Sequence, residues 1–179
     1  VKTQRCITSL RAFVKQKTDF EFDSDSLDLS FISIGKFVLN NLTLNQAHQI
    51  LQGAIQAARA ANYKPMGIVV LDASGQLVAF SREDGASMFR FDIARGKAWG
   101  AVGMGSSSRA LAERAKDNPN FFVALAATAE GKFLPQPGAV LIKDAAGHIL
   151  GSAGASGGTG DEDELICMAG IKAAGLVPA

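Results

Sequence analysis

From Leu42 to the C-terminus, apolar residues recur first at spacings of three and four, then at two, then again at three and four. That alternation predicts helices packed on a sheet. Thr43-Leu-Asn-Gln46 has the form of a capping box, in which a hydroxyl and an amide satisfy backbone donors at a helix start. Leu44, Ala47, Leu51, Ala54, Ile55 and Ala58 then form one stripe, and Asn62 and Pro65 end the helix. Two runs rich in β-formers flank Asp72-Ala-Ser-Gly75 in GIVVLDASGQLVAF (67–80), which predicts a hairpin. AVLIKDAAGHILGSA (139–153) repeats the pattern around Asp144-Ala-Ala-Gly147. The segment between the hairpins predicts helices from Ala86 to about Val102, Ser107 to Lys116, and Asn120 to about Gly131, with GAVGMG (100–105) as a helix stop. A last helix is expected from Asp161 to about Ala174, opened by a second capping box, Thr159-Gly-Asp-Glu162. Its apolar side would be Leu165, Met168, Ala169 and Ile171. Two hairpins separated by helices imply an α+β fold with one mostly antiparallel sheet covered by helices.

At 179 residues the chain fits a single core. The main domain is expected over 42–179, with 1–41 as an extension: five basic groups and no acid up to residue 18, then five acids from Asp19 to Asp28. The net charge of +1 provides no field to gather polyanions, so nucleic acid is not an expected partner. Charges or glycines interrupt every apolar run before it reaches bilayer length, so no membrane span is expected. Cys6 and Cys167 form neither a disulfide framework nor a zinc spacing. Those features suggest a cytoplasmic protein; because residue 1 is Val and not Met, a secreted or organellar one stays open.

Four groups of residues are candidates for chemistry. Arg82, Arg90, Arg95 and Lys97 lie near Phe89, Phe91 and Trp99, and Arg90 and Lys97 share a helix face at a spacing of seven. Such a cluster suits the carboxylates and apolar body of an amphipathic ligand; the plainer reading is ion pairing with Glu83, Asp84 and Asp92. His48, at the edge of the first stripe, and His148, just after a turn, are candidate axial ligands or bases, or surface residues. Cys167 reads as a core thiol before it reads as an iron ligand. Asp161, Glu162, Asp163 and Glu164 would repel a phosphate from the glycine-rich run ahead of them; they could hold a hard cation such as iron or complement the helix dipole. The glycines of that run would let the last strand approach the following helix or a neighbouring subunit.

In order and spacing, LTLNQAHQILQGAIQAARA, VVLDASGQLVAFSREDGAS, IARGKAWGAVGMGSSSRALAERA, FLPQPGAVLIKDAAGHILGSAGASG and the acidic DEDE before AGIKAAG resemble the GlcG/HbpS family. This haem-degrading-like family is related to the C-terminal domain of PduO-type corrinoid adenosyltransferases. The resemblance implies a profilin-like sandwich with a five-stranded antiparallel sheet, assembly from dimers up to octamers, and haem, less so a corrinoid, as the ligand. A tetrapyrrole-binding protein in haem or iron handling is therefore the expected function. Its propionates would sit near Arg82, Arg90 or Lys97, and its ring against Phe89, Phe91 or Trp99. Two other readings remain: an enzyme acting on haem or a small metabolite, and a non-catalytic oligomeric subunit packed through small residues around Gly154 and Gly170.

Overall fold

Local signals build most of the elements in the computed structural model, which describes residues 41–179. The expected extension over 1–41 lies, apart from Asn41, outside the described residues. Helix α1 (Leu44–Ala60) opens on the Thr43 capping box, with both reciprocal hydrogen bonds made. Strands β1 (Gly67–Asp72) and β2 (Leu77–Arg82) follow, then helices α2 (Arg90–Met104), α3 (Ser108–Asp117) and α4 (Pro119–Thr128). Strands β3 (Ala139–Lys143) and β4 (Ile149–Ser156), helix α5 (Gly160–Ala173) and the short strand β5 (Val177–Pro178) complete the chain. The Thr159 capping box opens α5.

Two helix boundaries differ from expectation. Helix α2 starts at Arg90, not Ala86, because residues 83–89 are held in turns: Gly85 has φ +80° and Ala86 N–H donates to the Glu83 carbonyl. Its stop lies at Gly105, which adopts the left-handed conformation, so Gly100 and Gly103 are interior positions.

The sheet has the order β2-β1-β4-β3-β5, and every pairing is antiparallel. The described residues form an α+β fold of five helices and a five-stranded open sheet. Successive residues of a strand face opposite sides, so β1 to β4 each serve two cores. Ile68, Val70, Val140, Ile142, Ala153 and Ala155 pack with buried residues of α1 and α5, including Ile50, Leu51, Ile166 and Ile171. On the other face, Val69, Leu71, Ala139 and Leu141 meet Ala94, Ala98 and Ala101 of α2. A smaller cluster of Leu111, Phe122, Ala129 and Phe133 holds α3 and α4.

The buried stripe of α5 is Asp163, Ile166, Cys167, Gly170 and Ile171, whereas Leu165, expected inside, is exposed. Leu44 of α1 is likewise exposed and Ile50 takes the buried place. The stripe is set by what each helix touches: Gly170 lies against the Ile50 carbonyl and Ala54, so α1 and α5 meet backbone to backbone. Of the glycine-rich run, Gly158 lies against Glu162 of α5, the approach to the following helix that was expected, whereas Gly154 of β4 is covered by Ala94 and Ala98 of α2. Gly154 and Gly170 are both buried inside this chain.

No helix among the described residues is long and apolar enough to cross a membrane.

Candidate functional site

The two ends of the sheet have different constructions. At one end lie the β1–β2 and β3–β4 turns. At the other, Gly67 of β1 is paired on one side with Arg82 and on the other with Ser156. Arg90, the first residue of α2, rests directly on Gly67: a Cβ there would stand 2.6 Å from the Arg90 Cβ. The absence of a side chain at Gly67 thus lets α2 begin over the middle of the sheet. Arg90 Nη1 then donates to Ser156 Oγ at 3.2 Å.

Arg90 separates two clefts. One, of about 350 Å³, is lined by Arg90, Ile93, Lys97, Leu134, Ser156 and Asp163. The other, of about 590 Å³, is lined by Tyr63, Lys64, Arg90, Gly157, Gly158 and Glu162. Both volumes fall within the usual range for small-molecule sites. Gly158 borders both as well.

The floor of the smaller cleft is an ion pair. Lys97 Nζ lies 2.8 Å from Asp163 Oδ2 and donates also to the Ala155 carbonyl at 3.2 Å. The two side chains are only 7% and 2% exposed, which puts this pair among the interactions whose rupture leaves an uncompensated buried charge. Asp163 Oδ1 accepts from Gly158 N–H, tying the loop after β4 to the pair. Gly138, at φ +121°, makes room for it, since a Cβ there would lie 2.7 Å from Lys97 Nζ. Beside the pair, burial pushes the Cys167 thiol far above its ordinary pKa, and the Asp163 carboxylate adds to the rise. Its Sγ–H is directed to the Gly138 carbonyl. A buried thiol held protonated is a core residue, not a thiolate ligand.

The wall of the larger cleft is locked from below. After α1, Asn62 adopts φ +56° and Tyr63 N–H donates back to the Ala58 carbonyl. Arg59 Nη2 donates to the carbonyls of Tyr63 and Lys64, at 2.8 and 3.1 Å, while its Nε pairs with Glu83 at 3.0 Å. Glu83 accepts in turn from Met66 N–H. Tyr63, half-buried against the core, was not among the sequence candidates. It is the chain's single tyrosine, and no motif surrounds it.

The expected site residues are divided by this geometry. Arg82, Arg90 and Lys97 belong to the cleft end of the sheet, with Lys97 buried in its ion pair and Arg82 exposed on the edge strand. Met88 and Phe89 precede Arg90 and are 72% and 61% exposed. Phe91 packs edge-on against Phe80 at 4.8 Å, and the Arg95 guanidinium covers its ring. Of the plainer ion pairs, Arg95–Asp92 forms at 3.8 Å and Glu83 pairs with Arg59 instead of a residue of the cluster. Trp99 lies at the opposite end, against Gly75 of the β1–β2 turn.

His148 stands in the β3–β4 turn, also at that opposite end, with Nδ1 2.9 Å from Asp144 Oδ2. His48 is exposed on α1, twelve residues and therefore about 18 Å before the helix end that leads to Tyr63.

The acidic quartet is dispersed. Asp161 and Glu164 both pair with Arg109, Glu162 accepts from Thr159 N–H, and Asp163 faces Lys97. Among the described residues no group of three His, Cys, Asp or Glu side chains converges to hold a metal ion.

With this geometry in place, three comparisons locate the chain among known proteins. Residues 42–172 match the family described as haem degrading protein HbpS-like. Among solved structures, the PduOC:haem complex superposes with a TM-score of 0.68 at 24% identity, over 76% of this chain and 96% of that one. A double mutant of Streptomyces reticuli HbpS gives a TM-score of 0.64 at 26% identity, over 74% of this chain and 86% of that one. The Klebsiella pneumoniae protein ORFY gives 0.68 at 22%, over 75% and 90%. Among curated proteins there is no significant match.

Proposed function

The chain belongs to the HbpS-like family, and from that premise we propose that it binds haem at the sheet end built around Arg90. One observation carries the reading: a half-buried guanidinium, fixed by Gly67 and Ser156, forms the wall shared by two adjoining clefts. Haem is flat and apolar with two carboxylates on one edge, so it needs cations along one side and apolar surface beside them. Arg90 and Lys64 supply the cations. Ile93, Leu134 and Pro137 supply apolar walls, and the exposed Met88 and Phe89 add surface next to Arg90. Lys97 is left out of propionate binding because its ammonium is already matched by Asp163. When bound, haem would supply redox and oxygen chemistry of its own; the protein's part is binding and orientation.

Haemin titration of the full chain tests the proposal. A saturable Soret shift is expected, and Arg90→Met should weaken binding by roughly 10- to 100-fold, the worth of hydrogen bonds to a charged group. A spectrum equal to that of haemin in buffer, with protein in excess, would refute it.

A further inference from the structure

The smaller cleft holds two donors that the folded chain leaves open. Strand alternation puts Ser156 on the face of β4 where Gly154 meets Ala94 and Ala98 of α2. Arg90, Ile93 and Lys97, at spacings of three and four, share the face of α2 that lines the cleft beside it. The described residues bury three serines. Ser108 Oγ donates to the Ala139 carbonyl at 3.1 Å, and Ser152 Oγ to the Ala98 carbonyl at 2.8 Å. Ser156, only 2% exposed, accepts from Arg90 Nη1 but donates to no acceptor among the described residues. Buried hydroxyls ordinarily find an acceptor, so this one is prepared for a group the chain does not supply. Arg90 is open in the same sense: half-buried, it forms no ion pair among the described residues. The carboxylates on the cleft lining are already matched, Asp163 by Lys97 and Asp161 by Arg109.

We propose that this cleft binds a short-chain carboxylate, whose oxygens accept from the Arg90 guanidinium and the Ser156 hydroxyl while Ile93, Leu134 and Pro137 cover its carbon chain. A neutral acceptor would satisfy Ser156 and leave the Arg90 charge unmatched; a carboxylate satisfies both through charge-assisted hydrogen bonds. One unmatched cation calls for one negative charge, and a phosphate dianion would meet the acidic start of α5. The volume of about 350 Å³ lies near the lower end for small-molecule sites, with room for a few carbons and not for a macrocycle. The carboxylate therefore comes either from a free small molecule or from one propionate arm of a haem whose ring lies outside the cleft. The inference goes beyond the haem reading, since it stands on Arg90 and Ser156 and holds with either source.

The test titrates butyrate into the isotope-labelled full chain, reads amide shifts by NMR, and uses butyramide as the neutral counterpart. Butyrate should give saturable shifts at Arg90 and Ser156, with a Kd on the order of 1 mM for so few heavy atoms. Butyramide should bind at least about tenfold more weakly, Ser156→Ala should weaken butyrate about tenfold, and Arg90→Met should weaken it further. Equal shifts with the two probes, or butyrate shifts that never saturate, would overturn the proposal. That comparison needs no variant, so it decides even if Ser156→Ala melts early. Haemin then separates the sources. Displacement of haemin by butyrate, read at the Soret band, assigns the carboxylate to a propionate arm, and simultaneous binding assigns it to a free molecule; either result upholds the pocket. Butyrate binding by a chain that gives no Soret shift would sink the haem reading alone. Haemin binding with no butyrate shifts at Arg90 and Ser156 would sink the pocket alone.

Discussion

The two ends of the sheet are built from contacts of different reach. At the turn end, Asp72 Oδ1 accepts from the N–H groups of Ser74 and Gln76, and Asp144 Oδ1 accepts from those of Ala146 and His148. Every one of these bonds spans two or four residues. At the cleft end, Arg90–Ser156 and Lys97–Asp163 each join residues 66 apart. One end is therefore made by local chemistry and can form with its hairpin. The other exists only when α2, β4 and α5 have all docked. Function is expected at the second kind of end, where distant segments are brought together around the clefts that Arg90 borders.

That contrast can be broken most severely at the ion pair. Asp163→Ala leaves the Lys97 ammonium buried without a counter-charge and should cost about 3–5 kcal/mol in denaturant unfolding. Replacing both, Lys97→Met with Asp163→Leu, should recover most of that loss. If the single variant unfolds like the parent, the pair is not buried and the cleft floor is wrongly described.

Glycine substitutions separate the two ends more finely. Gly67→Ala forces Arg90 off the sheet and should destabilise by about 1–3 kcal/mol while also reducing haemin affinity. Gly75→Ala, at φ +75° beneath Trp99, should cost about as much, roughly 1–3 kcal/mol, with haemin affinity unchanged. Equal loss of haemin binding in both variants would erase the distinction between the ends.

The same distinction explains what could be read from the residues alone. Both capping boxes and both Asp-x-x-Gly turns were legible because all their partners lie within a few positions. Arg90 was legible as a candidate cation, but Lys97 was read as its companion on a helix face. Only the folded chain shows the aspartate that neutralises Lys97. Trp99 was grouped with Arg90 by nearness in sequence, yet nine residues of helix carry it about 13.5 Å along the sheet, to the turn end. The backbone at Tyr63 and Lys64 gave no signal, since what holds it is Arg59 clamped by Glu83, an arrangement without a sequence pattern.

The smallest expected effects are at the turns. Asp72→Ala removes two backbone hydrogen bonds and should cost about 1–2 kcal/mol, measurable by thermal unfolding, with no change in haemin affinity. The hydrogen bond from His148 holds the Asp144 carboxyl below its ordinary pKa. A carboxylate with a depressed folded pKa contributes stability that is present above the ordinary carboxylate range and is lost as pH falls through the lowered value. NMR titration should place the Asp144 midpoint below that range, and His148→Ala should move it upward. An unmoved midpoint would show that the contact has no electrostatic consequence.

The central claim, that ligand chemistry belongs to the Arg90 end, is tested most directly by paramagnetic line broadening. Ferric haem added to isotope-labelled protein should selectively broaden the amides of Gly67, Arg90, Ser156 and Gly158 and spare those of Gly75 and Gly147. Broadening centred on the two turns, with the Arg90 end unaffected, would contradict the account.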